Sequence, residues 1–196
     1  PQAVLTGQFI DSEVQGVAYE TATKSGFTDA QGGFQYILGE KVTFSIGDIV
    51  LGQTSAKALI TPIDLVPGAV NAGDQAVKNM VRFLITLDMD GYPSNGVEIS
   101  EEVRREAKGK LIDFNDNEYD FENNVDLQNL ISQATNTSTL VGTSFAIQHF
   151  NETLSSVGEE DKKAQRDYSN VDDGNLIALT VIDLVSKLNN LILSRP

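Results

Sequence analysis

The apolar pattern of this chain changes period once, near residue 61, so that one kind of regular structure cannot serve both halves. Before the change the period is 2. Leu5, Gly7 and Phe9 alternate with Val4, Thr6, Gln8 and Ile10, and Val17 and Tyr19 alternate with Ala18 and Glu20. Phe34 and Tyr36 flank Gln35, and Val42, Phe44 and Ile46 alternate with Thr43 and Ser45. Alternation of this kind marks strands with one face buried. Turn residues separate the runs: Asp11-Ser12, Ser25-Gly26, Asp29 to Gly33, Leu38-Gly39-Glu40 and Gly47-Asp48, with a further short strand at Ile49–Leu51. Strands spaced by roughly eight to twelve residues predict a small antiparallel β-sandwich or barrel over residues 1–66.

Thr61 to Gly68 holds two prolines and a glycine, which argues against a regular helix there. Beyond it the period is helical. Val77, Met80, Val81, Leu84 and Ile85 share one helix face behind Asp74 as N-cap, and Asp88 to Gly91 ends that helix. Ser100 caps a short charged helix with Glu101 and Glu102 in its first turn. Val125, Leu127, Leu130 and Ile131 predict another helix. Ala146, Ile147, Phe150 and Leu154 predict one more, capped by Thr143 or Ser144. The expectation is an α+β fold: an N-terminal antiparallel β-sandwich (1–66) with a helical portion (67–154) packed on it as one unit. Residues 155–174 read as a polar linker. Residues 175–196 form an apolar terminal segment that needs a core or a partner, and its stretch Leu176–Val181 reads equally as helix or strand.

Composition removes several function classes. Asp and Glu number 28 against 14 Lys and Arg, a net charge of −14. A generic phosphate-binding surface needs clustered Lys and Arg, so nucleic acid is excluded as the expected partner. With Cys 0 and His 1 there is neither a disulfide framework nor a thiolate or multi-histidine metal centre within one chain. No apolar run reaches the ~18 residues of a membrane span, and Asp183 and Lys187 interrupt the terminal segment. The start at Pro1 reads as a processed or trimmed end, and the lack of cysteine fits an extracellular setting.

Two acidic segments have the residue types a hard cation needs. Ca²⁺ takes about six to eight oxygens from carboxylates, amides and carbonyls. Asp88, Asp90 and Asn95, with Glu98, place two carboxylates on one tight turn with Gly91 free to bend. This is not an EF-hand, because Tyr92 stands where a third ligand is needed. The plainer alternative is a helix end followed by a solvated acidic turn. Asp113, Asn115 and Asp116 belong to a second cluster running to Asp120; an acidic surface loop over Phe114 and Phe121 is the reading its pattern favours. His149 has no evident triad partner. Ser144 lies off its helix face and no Gly-x-Ser-x-Gly elbow is present, so a structural histidine is expected. Trp is 0, which serves sugar-stacking clefts poorly.

The ordered runs Gly7-Gln8-Phe9-Ile10-Asp11-Ser12, Gly16-Val17-Ala18-Tyr19, Gly33-Phe34-Gln35-Tyr36, Val42-Thr43-Phe44-Ser45-Ile46-Gly47, Ile60-Thr61-Pro62-Ile63-Asp64-Leu65, Leu87-Asp88-Met89-Asp90-Gly91 and His149-Phe150 resemble a surface module. Such modules occur in secreted lipoproteins and RTX-type adhesins of Gram-negative, often marine, bacteria. The front portion is also similar to the carboxypeptidase-regulatory β-sandwich, a scaffold and not a catalyst. The resemblance covers roughly residues 5–154. It implies an extracellular, non-catalytic module at the bacterial cell surface that binds a protein, peptide or glycan ligand, or a neighbouring subunit, with Ca²⁺ assistance. Two other classes stay open: a filament subunit assembling by donation of Val4–Ile10 or Leu176–Val181, and a secreted hydrolase.

Overall fold

The structure is a computed structural model that describes residues 2–135 and 137–168. The strands in chain order are β1 (Val4–Phe9), β2 (Val14–Gln15), β3 (Ala18–Glu20), β4 (Ser25–Phe27), β5 (Gly33–Ile37), β6 (Lys41–Ile46), β7 (Ile49–Ser55), β8 (Leu59–Ile60) and β9 (Val97–Glu98). The helices are α1 (Pro62–Leu65), α2 (Gln75–Thr86), α3 (Glu101–Glu106), α4 (Glu118–Glu122), α5 (Val125–Ala134) and α6 (Thr143–Tyr168). The fold is α+β.

The period-2 runs become two main sheets. One has the order β5-β1-β8, the other β4-β3-β6-β7. All pairings within the second are antiparallel, and the β6–β7 register shifts at Phe44/Ser45. The inward residues of both sheets meet in one aromatic cluster. Phe9 stacks on Phe44 at 4.7 Å between ring centroids, and Phe34 meets Phe44 edge-on at 5.2 Å. All three rings are buried, and each such side chain contributes on the order of 3 kcal/mol or more when fully packed.

Two strand pairs are parallel, which alternation alone does not reveal. β8 lies parallel to β1, with Gln8 opposite Leu59 and Phe9 opposite Ile60. β2 lies parallel to β9, with Val14 opposite Val97. The second pair draws its partner from beyond residue 66, so the N-terminal strands are not completed within residues 1–66.

The Thr61–Gly68 stretch does hold one helical turn, α1, against the expectation. Pro62 occupies its first position, where the missing N–H costs nothing. Thr61 and Asp64 close a capping box, Asp64 Oδ2 accepting from the Thr61 main-chain N–H at 2.8 Å. α2 starts at the expected cap: Asp74 accepts from the Ala76 N–H at 2.9 Å. Ten of its residues are buried, among them Arg82. Arg82 Nε donates to the Val141 carbonyl, and its guanidinium pairs with Glu118 and Glu122. Phe83 packs against Phe114, and Phe114 against Phe121. Ser100 caps α3 and Asn124 caps α5 through their side chains. Neither expected cap of α6 acts as one, since Thr143 is already its first helical residue.

Residues 1–153 form one compact unit. α6 continues past it to Tyr168, through the first part of the segment read as a polar linker. The apolar terminal segment 175–196 lies outside the described residues.

Candidate functional site

Asp88 and Asp90 stand where α2 ends. The Asp88 N–H still donates to the Ile85 carbonyl, and Asp88 forms a bridge with Ile99 that folds the following loop back. The Met89 N–H donates to the Glu98 carbonyl at 3.0 Å, and the Glu98 N–H donates to Asp88 Oδ1 at 2.9 Å. Gly91 (φ 72°) and Gly96 (φ 111°) supply the left-handed turns the loop needs. Asp90 organises the tip: its Oδ1 accepts from the Tyr92 N–H at 2.8 Å, and its Oδ2 from the Asn95 amide at 3.0 Å.

The two carboxylates differ in environment. Asp88 is only 6% exposed, and its Oδ2 is buried without a hydrogen-bond partner. Asp90 is exposed and its carboxylate lies within interaction range of that of Asp88. Burial, and then the Asp90 charge, push the Asp88 carboxyl above the usual carboxylate range; the Glu98 N–H pulls the other way. The Asn95 amide and the Tyr92 N–H hold Asp90 below it. Two interacting carboxyls, one of them with an unpartnered buried oxygen, can share one proton or one hard cation. No group of three or more His, Asp or Glu side chains converges among the described residues. An ion here would complete its shell from main-chain carbonyls, the Asn95 amide and water. Both aspartates line a pocket of about 310 Å³, with Met89, Thr137, Val141 and Phe145 on its walls. Met89 and Phe145 are half exposed at its rim.

The Asp113 cluster is arranged differently. Asp113 Oδ1 accepts from both the main-chain N–H and the side-chain amide of Asn115, which lowers its carboxyl below the ordinary range. The Asp116 N–H donates to the Asp113 carbonyl, and the Asp116 carbonyl accepts from the buried Asn79 amide. Asp113 and Asn115 are exposed, and Phe114 is buried beside Phe83. These bonds are local to the loop or tie its main chain to Asn79, and none of its side-chain oxygens is buried without a partner. The structure does not bring it to the Asp88 turn as a shared ligand set.

His149 has a partner that sequence spacing could not reveal. Its Nε2 lies 3.0 Å from Ser12 Oγ, across 137 residues, and the Asp11 main-chain carbonyl is near enough to the ring to favour its charged form. Burial lowers the His149 pKa, against the nearby Glu152 charge and the Asp11 carbonyl. Asp11 itself is fully buried with neither carboxylate oxygen partnered, and burial raises its carboxyl well above the ordinary range. The turn signal at Asp11-Ser12 was visible in sequence; the imidazole over it was not. Compared with models of protein families, with curated proteins and with solved structures, the chain matches none.

Proposed function

We propose that this chain is a non-catalytic binding module of an extracellular bacterial surface protein, ordered by Ca²⁺ at Asp88 and Asp90. Its frame is read as a sandwich of the carboxypeptidase-regulatory type carrying helices on one side. The observation that carries the reading is the buried, unpartnered Oδ2 of Asp88 set against the Asp90 carboxylate. A cation there relieves the desolvation of Asp88 and the repulsion between the two charges, and it fixes the loop from Asp88 to Ile99. The adjoining pocket, with half-exposed Met89 and Phe145 at its rim, is the surface a protein, peptide or glycan partner would meet.

Thermal unfolding in Ca²⁺ and in chelator tests it. At Ca²⁺ a hundredfold above Kd the native state gains about 2.7 kcal/mol, and the melting temperature rises accordingly. Asp88→Asn and Asp90→Asn, which keep shape and remove charge, should each abolish most of that rise. In chelator Asp88→Asn should melt at or above the wild type, because a buried repulsion is gone. An unchanged melting temperature at millimolar Ca²⁺, the range of extracellular modules, defeats the cation.

The open edge at β7 favours a second reading, an assembling subunit. β7 ends its sheet, and a groove of about 320 Å³ runs beside it between Val50, Gln53, Leu65, Ile112 and Phe114. An incoming strand satisfies such an edge through main-chain hydrogen bonds. Sedimentation of the full chain across concentration decides it: a strict monomer at every concentration excludes strand donation between copies.

A further inference from the structure

The Asp11–Ser12 turn is built expensively. Ile10 and Glu13 pair across it as an antiparallel bridge, so Asp11 and Ser12 are the two central residues of a tight turn. Ser12 has φ 59°, and it is the one non-glycine residue in the left-handed region among the described residues. A turn of this kind calls for glycine or asparagine at that position, because a Cβ there is strained. The residue present is instead a serine, and its hydroxyl meets the chain's single imidazole at 3.0 Å. The carbonyl of the peptide bond that joins Asp11 to Ser12 is near enough to the same imidazole to favour its charged form. One ring therefore bonds the Ser12 hydroxyl and stands near the carbonyl that precedes this strained residue. The Asp11 carboxyl is buried and without a hydrogen-bond partner.

From this juxtaposition we infer that the chain cleaves its own Asp11–Ser12 peptide bond, with Ser12 as nucleophile and His149 as general base. Ser12 Oγ attacks the Asp11 carbonyl carbon while its proton passes to His149 Nε2. The C–N bond breaks as the imidazolium returns that proton to the Ser12 nitrogen. The product is an ester between the Asp11 acyl group and Ser12 Oγ, with a free α-amine on Ser12. Water then adds to the acyl carbon, giving a new carboxyl terminus at Asp11 and restoring the Ser12 hydroxyl. Atoms balance with one water consumed, and no oxidant or cofactor takes part.

Three features suit the step. Breaking the bond releases Ser12 from its strained φ. Burial of His149 favours the neutral imidazole, the form that accepts a proton. Burial of Asp11 favours its neutral carboxyl, so no fixed negative charge stands beside the carbonyl as it gains charge. Ser12 and His149 are both half buried, which leaves water a route to the ester. The reaction stands apart from the cation site and is a single self-processing event, compatible with a module that turns over no external substrate.

After cleavage β1 stays paired with β5 and β8, so the short piece should remain bound in the native fold. The test is therefore intact-mass analysis of the full chain after denaturation, following incubation near neutral pH with and without hydroxylamine, which intercepts esters. Two masses summing to the chain plus one water, with the junction between Asp11 and Ser12, are expected. Hydroxylamine should accelerate the split and leave a hydroxamate on Asp11. The ordinary hydroxylamine-sensitive bond, Asn95–Gly96, gives a different pair of masses. Ser12→Gly, which takes the same φ without strain, should stay intact, and His149→Ala should slow the split about a hundredfold. A single uncut mass after prolonged incubation overturns the inference. So does cleavage at the same bond that persists in Ser12→Gly, which would assign it to the Asp11 carboxyl alone.

Discussion

The half-buried His149 and the buried Asp11 pull the pH dependence of this chain in opposite directions. The His149 pKa is lowered by burial, so the folded state prefers the neutral ring. Its stabilising contribution is complete above the unfolded-state value of about 6.5 and is lost as pH falls through the lower folded value. Asp11 has the reverse sign. Its folded pKa is raised by burial, so its contribution is complete below the ordinary carboxylate range and is lost as pH rises through the folded value. A stability profile of the wild type alone mixes the two, whereas a difference between variants separates them. We predict that the stability gap between wild type and His149→Gln narrows as pH is lowered from neutrality to about 5, measured by urea unfolding at each pH. A gap that widens toward acid would show that the ring is charged in the fold, paired to a neighbouring carboxylate.

The junction of β2 with β9 carries more of the architecture than its two-residue length suggests. Gly16 follows β2 with φ 82°, and a Cβ there would lie 2.3 Å from the Ile99 carbonyl oxygen. The guanidinium of Arg104 bonds both the Gly16 and the Ile99 carbonyls, at 3.1 and 2.6 Å, and covers the Phe27 ring. Gly16→Ala adds a strained φ to a backbone clash, and a cost of about 3 kcal/mol is expected, read as a lower denaturant midpoint with unchanged slope. Signals of this kind mark the limit of what the sequence could show. The antiparallel strands and the caps at Asp74 and Ser100 were legible because period and capping are local. The β1–β8 and β2–β9 pairs were not, since two-residue parallel ladders leave no period and their partners lie far along the chain. Pro62 was misread as a breaker because the capping box of Thr61 and Asp64 turns it into a helix start. At the turn after α2 the Asp-x-Asp-Gly spacing exposed Asp88 and Asp90, but nothing local announced that Asp88 Oδ2 is buried. Ser12 and His149 were invisible as a pair for the same reason of distance.

Residues 1–153 form one compact unit in which the N-terminal strands draw partners from the segments that follow them. Val14 and Val17 are fully buried, yet β2 finds its partner strand only at Val97–Glu98. Arg104 from α3 lies over one face of the exposed Phe27, and Ser12 is held by His149 from α6. A chain ending at residue 66 loses all three, exposing apolar residues and leaving unpaired main-chain groups on β2. A piece this short is also marginal by size, because a small chain buries a smaller share of its surface. The expected outcome is that residues 1–66 give a collapsed or aggregating peptide with poor NMR dispersion. Residues 1–153 should unfold in a single transition, the same by far-UV circular dichroism and by tyrosine fluorescence. The cut after Thr153 keeps the buried Ala146 and Phe150 of α6 together with His149 and its bond to Ser12. A well-dispersed spectrum from residues 1–66, or two separate transitions from residues 1–153, would show that strands and helices are independent bodies. The β2–β9 pair would then be a contact between finished domains rather than a part of their folding.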